Sequence, residues 1–133
     1  MPANLSLAAA LIGTPWPVPF AGAIAVLEEV GEKPYRIDRY VTQLLLAGAL
    51  GSAAAVVVGD LTRCTDPKPP TGEPDPEDAA LTVIVDHLRV AGLPAAVGAP
   101  LGHESHNEAV PFGASCELDL DRGTIAITEA AVR

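Results

Sequence analysis

A chain of 133 residues with 49% hydrophobic side chains is long enough for one domain with a real core and too short for two comfortable ones. Its 17 acidic against 8 basic residues give a net charge of −9. That is the opposite of the basic surface that meets nucleic-acid phosphates or an anionic membrane, so neither is expected as a partner.

Met1-Pro2-Ala3-Asn4 lacks the basic start and long apolar run of a secretory signal, and Leu5–Ile12 is too short to span a bilayer. The cytoplasm is the expected setting. Cys64 and Cys116 have no CxxC spacing. A single bridge is compatible with that count, but two free thiols in a reducing compartment is the simpler expectation.

In chain order, Asn4–Ile12 reads as a short helix that Asn4 or Ser6 can cap and Gly13 ends. Thr14–Phe20 carries Pro15, Pro17 and Pro19 and reads as an extended connector. Gly22–Leu27 is the first expected strand, with Glu28 and Glu29 where it runs out. Gly31 turns the chain, and Pro34 suits the first turn of a helix. In that helix Ile37, Val41, Leu44, Leu45 and Gly48 share one face. Ala53–Val58 is a Val-rich run expected as a strand covered on both faces, emptying into Gly59-Asp60-Leu61-Thr62.

Arg63–Glu77 is rich in breakers and predicts a loop. The next helix is expected to start with Asp75 as N-cap and Pro76 at its first position, burying Ala80, Ile84, His87, Leu88 and Ala91. Gly92 stops it. A short strand at Ala95–Val97 leads into the glycine-flanked segment Gly98–Gly113. In the tail, Cys116, Leu118 and Leu120 alternate with Glu117, Asp119 and Asp121, and Asp121-Arg122-Gly123 turns the chain back through Ile125 and Ile127. This is a half-exposed hairpin. The sum is an α/β domain of five or six strands and two or three helices.

Few residues carry chemical potential. His87 lies on an apolar helix stripe, where a satisfied packing role is expected. His103 and His106 lie in the polar segment Leu101–Glu108, and a His following Gly at a strand end is accessible and can be oriented by a carboxylate. Two adjacent carboxylates, Glu28 and Glu29, stand at another strand end, with a solvated strand end as the plain alternative. His103, His106, Glu104 and Glu108 could also gather a metal, although their spacing matches no zinc signature. A nucleophile is harder to find. Ser105 is too close to His103 in sequence, Ser6, Ser52 and Ser115 lie in or beside regular elements, and no G-x-S-x-G elbow occurs. Cys64 has only Arg63 beside it.

Four segments together resemble one family: Asn4-Leu5-Ser6 through Gly13-Thr14-Pro15, LEEVGEKPYRIDRYVTQLLLAG from Leu27, Gly59-Asp60-Leu61-Thr62-Arg63-Cys64-Thr65-Asp66-Pro67, and GHESHNEAVPFGA from Gly102. The chain is similar to the C-terminal domain of the LD-carboxypeptidases (muramoyltetrapeptide carboxypeptidases), a family that includes microcin-immunity peptidases. The resemblance covers essentially residues 1–133 and implies a swivelling β/β/α-type small domain, with a mixed sheet or open barrel and two to three flanking helices.

It also implies a cytoplasmic serine peptidase that cuts the L,D amide bond to the terminal D-alanine of murein tetrapeptides with a Ser-Glu-His triad. It places the triad acid on Glu28 and the triad base on His103, with no metal or cofactor. Glu29 keeps its plain reading, and Glu29, His106 and Asn107 receive no role. The serine is expected from an N-terminal domain supplied in cis or in trans, so this chain alone is expected to be silent. A non-catalytic binding module on the same fold and a microcin-immunity-type peptidase domain are the alternatives. A domain that normally packs against a partner exposes apolar surface, which predicts a homo-oligomer, most simply a dimer.

Overall fold

The computed structural model describes residues 1–69, 72–73 and 76–130. Four parallel strands form one sheet in the order β1-β2-β3-β4: Pro2–Asn4 (β1), Ile24–Val30 (β2), Ala55–Thr62 (β3) and Ala95–Val97 (β4). Three helices connect and cover them: Leu5–Ala10 (α1), Pro34–Leu46 (α2) and Ala79–Val90 (α3). A separate antiparallel pair, Cys116–Asp119 (β5) and Thr124–Ile127 (β6), forms the expected hairpin. The α/β class holds, built from a parallel sheet, a second two-stranded sheet and three helices.

Period-two alternation along the strands divides the molecule. Ala25 and Leu27 of β2 and Val56 and Val58 of β3 enter the main core, where they meet Leu5 of α1, Ile37, Val41 and Leu44 of α2, and Ala80, Ile84 and Leu88 of α3. Each large aliphatic side chain so enclosed contributes about 1.5–3 kcal/mol relative to exposure. Val26 and Val57 point to the opposite face, where Leu101 packs on them and Ile24, Ala96, Val110 and Leu118 surround them. Helices therefore cover one face, and the chain after β4 covers the other. A largely apolar cavity of about 410 Å³ remains between that second face and the hairpin, bordered by Val26, Val57, Leu101, Val110 and Leu118.

Several boundaries differ from expectation. The residues before α1 form the edge strand β1, with Pro2 opposite Val26 and Asn4 opposite Glu28; an edge position tolerates the missing proline N–H. The Asn4 side chain accepts the Leu7 N–H and caps α1. Strand β2 does not stop at Leu27 but continues through both acids to Val30, and β3 runs from Ala55 to Thr62 instead of ending at Val58. Pro34 opens α2 as expected, but its closing Gly48 is exposed. Helix α3 starts at Ala79: the Ala79 N–H donates to the Pro76 carbonyl in a preceding turn, so Pro76 lies ahead of the helix. The expected cap Asp75 lies outside the described residues. Ala91 is exposed at the C-cap rather than buried.

Candidate active site

Parallel α/β sheets expose their chemistry at the carboxyl ends of the strands, where loops replace the next turn of packing. Here the loop after β4 folds across the ends of β2 and β3. Strands β2 and β3 pair Leu27 with Val58 but Glu29 with Leu61, so Glu28 faces an extra residue at Gly59–Asp60. Such a bulge re-aims side chains beside a site. Alternation puts Glu28 on the loop-covered face with Val26, and Glu29 on the helix-covered face with Leu27.

The loop is docked by its backbone. The Asp60 N–H donates to the Leu101 carbonyl at 2.8 Å. A side chain at Gly59 would place its Cβ 2.3 Å from that carbonyl oxygen, so only glycine permits this approach. Past Leu101 the chain swings back toward β2, and His103 Nδ1 lies 2.7 Å from Glu28 Oε2. The Glu28 side chain is 17% exposed and that of His103 50%. Residues 75 positions apart thus form one imidazole–carboxylate pair. Nδ1 is occupied by the carboxylate. Nε2 has no protein partner among the described residues and is open to a reactant. A carboxylate on Nδ1 fixes the tautomer that leaves Nε2 as the proton acceptor, and it stabilises the cation formed when Nε2 is protonated.

The other sequence candidates fall elsewhere. Glu29 is not a solvated strand end: it is 2% exposed. Its Oε1 accepts from Asn4 Nδ2 at 3.0 Å and from the Val30 N–H at 2.9 Å, and its Oε2 accepts the Ser6 N–H at 2.7 Å. It is a buried clasp between β2 and the start of α1. His106 pairs loosely with Glu108 at 3.4 Å, and both are exposed. With His103 turned to Glu28, the imagined metal cluster is not assembled, and no group of three or more His, Cys, Asp or Glu is so gathered among the described residues. His87 is the half-buried packing residue anticipated for α3, its Nε2 2.7 Å from Asp38 Oδ1 on α2. Cys64 is 1% exposed, and burial pushes its thiol pKa up, which disfavours the nucleophilic thiolate. No hydroxyl among the described residues is hydrogen-bonded to His103. The large apolar cavity touches neither His103 nor Glu28.

Three residues around the pair had no site role from sequence. Asp60 Oδ2 accepts the Glu104 N–H at 3.3 Å, Asn107 Oδ1 accepts the Gly102 N–H at 3.2 Å, and Thr62 Oγ1 donates to Glu104 Oε1 at 3.1 Å. The signal that could have found the first is Gly59-Asp60 directly after a buried Val run, a polar step where a strand would otherwise remain apolar.

An α/β domain that holds an imidazole–carboxylate pair at the carboxyl edge of a parallel sheet carries the groups that proton transfer uses. Comparison with known proteins makes this specific. The family model of the LD-carboxypeptidase C-terminal domain matches residues 1–118, and the chain belongs to that family. A Synechocystis relative that carries a provisional carboxypeptidase name is 37% identical over 123 residues, covering 92% of this chain and 39% of its own. A Bacillus subtilis protein named a probable murein peptide carboxypeptidase is 35% identical over 132 residues, 97% of this chain and 39% of its own.

Among solved structures, the muramoyltetrapeptide carboxypeptidase of Oxalobacter formigenes superposes with a TM-score of 0.77 at 27% identity, over 93% of this chain and 42% of that one. The microcin C7 self-immunity protein gives a TM-score of 0.80 at 20% identity, a likeness of fold. The chain spans about two fifths of the length of the curated relatives it matches. No helix among the described residues is long and apolar enough to cross a membrane.

Proposed function

We propose that this chain supplies the acid, Glu28, and the base, His103, of a Ser-Glu-His triad that hydrolyses the L,D amide bond to the terminal D-alanine of murein tetrapeptides. The observation that carries this reading is the 2.7 Å contact between His103 Nδ1 and Glu28 Oε2, which leaves Nε2 open. The substrate class comes from relatives named for murein peptides, including a murein tetrapeptide carboxypeptidase of Pseudomonas aeruginosa that is 29% identical over 102 residues. In this reading the serine comes from the part of the family's proteins that this chain does not span. The chain alone therefore does not hydrolyse.

In the reaction the serine hydroxyl attacks the scissile carbonyl carbon while His103 Nε2 takes its proton. As the tetrahedral intermediate collapses, the C–N bond breaks and the imidazolium returns that proton to the departing D-alanine amine. Water then repeats the sequence on the acyl-enzyme ester, with His103 again as base, and frees the serine. Glu28 holds the imidazole and stabilises its cation throughout. A cytoplasmic setting and a homodimer belong to the same reading; sedimentation velocity tests the dimer, and a single monomeric species at all concentrations would refute it.

The decisive experiment combines this chain with the serine-bearing domain of a relative, in trans or as one polypeptide, and measures D-alanine release from a murein tetrapeptide. Release is expected from the combination and not from the chain alone. Release that survives His103→Ala would overturn the assignment.

A further inference from the structure

His103 sits on an exposed loop, yet a base must be placed to within a fraction of an ångström to be useful. The backbone N–H groups of the residues on its two sides are each held by a side chain. Before it, the Gly102 N–H donates to Asn107 Oδ1 at 3.2 Å; after it, the Glu104 N–H donates to Asp60 Oδ2 at 3.3 Å. Gly102 has φ +143, and a Cβ there would stand 2.7 Å from Asp60 Cβ and 3.1 Å from Asp60 Oδ2. Glycine at 102 is therefore what lets Asp60 reach past the loop backbone to the Glu104 N–H. Asp60 is itself anchored, because its own N–H holds the Leu101 carbonyl at 2.8 Å.

We propose that Asp60 and Asn107 are positioning residues for His103, their side-chain oxygens gripping the peptide N–H on either side of it so that Nδ1 faces Glu28 and Nε2 faces the reactant. This rests on the reading of His103 as the base. The two grips are independent: Asp60 belongs to the rigid end of β3, and Asn107 closes the loop upon itself. With two points of the backbone held, the loop narrows the Cα–Cβ directions open to His103, and Glu28 orients the ring. Neither Asp60 nor Asn107 is hydrogen-bonded to the imidazole, so both act through the backbone.

The test reads the imidazole directly. In the nitrogen-15-labelled full chain at alkaline pH, long-range proton–nitrogen spectra distinguish the Nδ1–H tautomer that Glu28 selects from the Nε2–H form that free imidazole prefers. The wild-type chain is expected to show His103 as Nδ1–H. Asn107→Ala and Asp60→Ala are each expected to shift it toward Nε2–H, with the His87 and His106 signals unmoved as internal controls. Asn107→Asp and Asp60→Asn keep an oxygen acceptor and are expected to keep the wild-type signature; the second also separates the charge of Asp60 from its hydrogen bond. Should Asp60→Ala fail to fold by circular dichroism, Asn107→Ala, on an exposed loop, carries the test.

In the combination with the serine-bearing domain, the alanine variants are expected to lower kcat roughly 10- to 100-fold, the scale of a misplacement near 1 Å, with KM within about twofold. Alanine variants that leave both tautomer and kcat at wild-type values, in an enzyme that His103→Ala inactivates, overturn the positioning role alone. D-alanine release that survives His103→Ala overturns the function and leaves the tautomer measurement to judge the two grips.

Discussion

Two adjacent glutamates offer a sharp test of how β2 is used. Glu29 is buried and accepts three hydrogen bonds, from Asn4 Nδ2, the Ser6 N–H and the Val30 N–H, at 3.0, 2.7 and 2.9 Å. Replacing it with glutamine changes one oxygen into a donor. The less costly orientation keeps Oε1 for Asn4 and Val30 and turns an NH₂ group toward the Ser6 N–H, so that bond is lost outright. A hydrogen bond to a charged group is worth about 1.5–3 kcal/mol net, and the two that survive fall to the neutral scale, roughly half. Glu29→Gln is therefore expected to cost at least about 3 kcal/mol. With a urea slope of roughly 1–3 kcal/mol/M, the unfolding midpoint should fall by at least about 1 M. Glu28 is more accessible and makes one such contact, to His103, so Glu28→Gln should stay within about 1 kcal/mol of wild type. Urea unfolding followed by far-ultraviolet circular dichroism measures both. A Glu29→Gln chain within about 0.5 kcal/mol of wild type, or a Glu28→Gln chain as damaged as it, would refute the division of labour along this strand.

Other parts of the fold yield further expectations. The Lys68 N–H, and behind it the ammonium of Lys33 at 3.1 Å, hold the Asp66 carboxyl below its ordinary pKa, with burial opposing both. A depressed folded value adds stability above the unfolded pKa that disappears as the pH falls through the folded one. Asp66→Asn should therefore lower the urea midpoint near neutrality, and the gap to wild type should close at acid pH; a gap independent of pH would contradict this. Cys64 is buried with a raised thiol pKa while Cys116 is half-buried, so a thiol reagent at mildly alkaline pH should modify Cys116 first and Cys64 only as the chain unfolds. Ile84 of α3 is fully buried against the main core, and Ile84→Ala should cost about 2–5 kcal/mol in the same unfolding assay.

What the sequence could reveal follows from how local each signal is. The buried stripe of α2 was legible because Ile37, Val41 and Leu44 repeat at helical spacing and the turn chemistry at Gly31 and Pro34 agrees with it. The hairpin was legible from alternation and a turn. The far halves of β2 and β3 were not, because an apolar run ends at its first charge. Glu28, Glu29, Asp60 and Thr62 nevertheless lie within strands, since the loop after β4 and the start of α1 arrive from elsewhere to satisfy them. The start of α3 was misplaced because a proline after an acid suits a first helical turn, whereas here Pro76 closes a separate turn onto Ala79. Nothing in the spacing of Glu28 and His103 announced their contact; the expectation rested on resemblance to a family.

The physical origin of the site is the strand's two-residue period acting on a sheet whose faces are covered by different material. The helix face is packed tightly by α1, α2 and α3, so a carboxylate turned that way survives only by accepting every nearby N–H, and Glu29 does so. The other face is covered by a loop that docks with the Leu101 carbonyl against Gly59 and Gly102 against the Asp60 side chain, and its looser packing leaves a carboxylate free to hold a side chain instead of the fold. One residue of register therefore separates a structural acid from one that orients an imidazole. Moving β2 by a single position against its neighbours would exchange those environments, burying Glu28 among helices and stranding His103 without a partner. The register that Leu27 fixes by its complete burial is thus also what holds the geometry of the site.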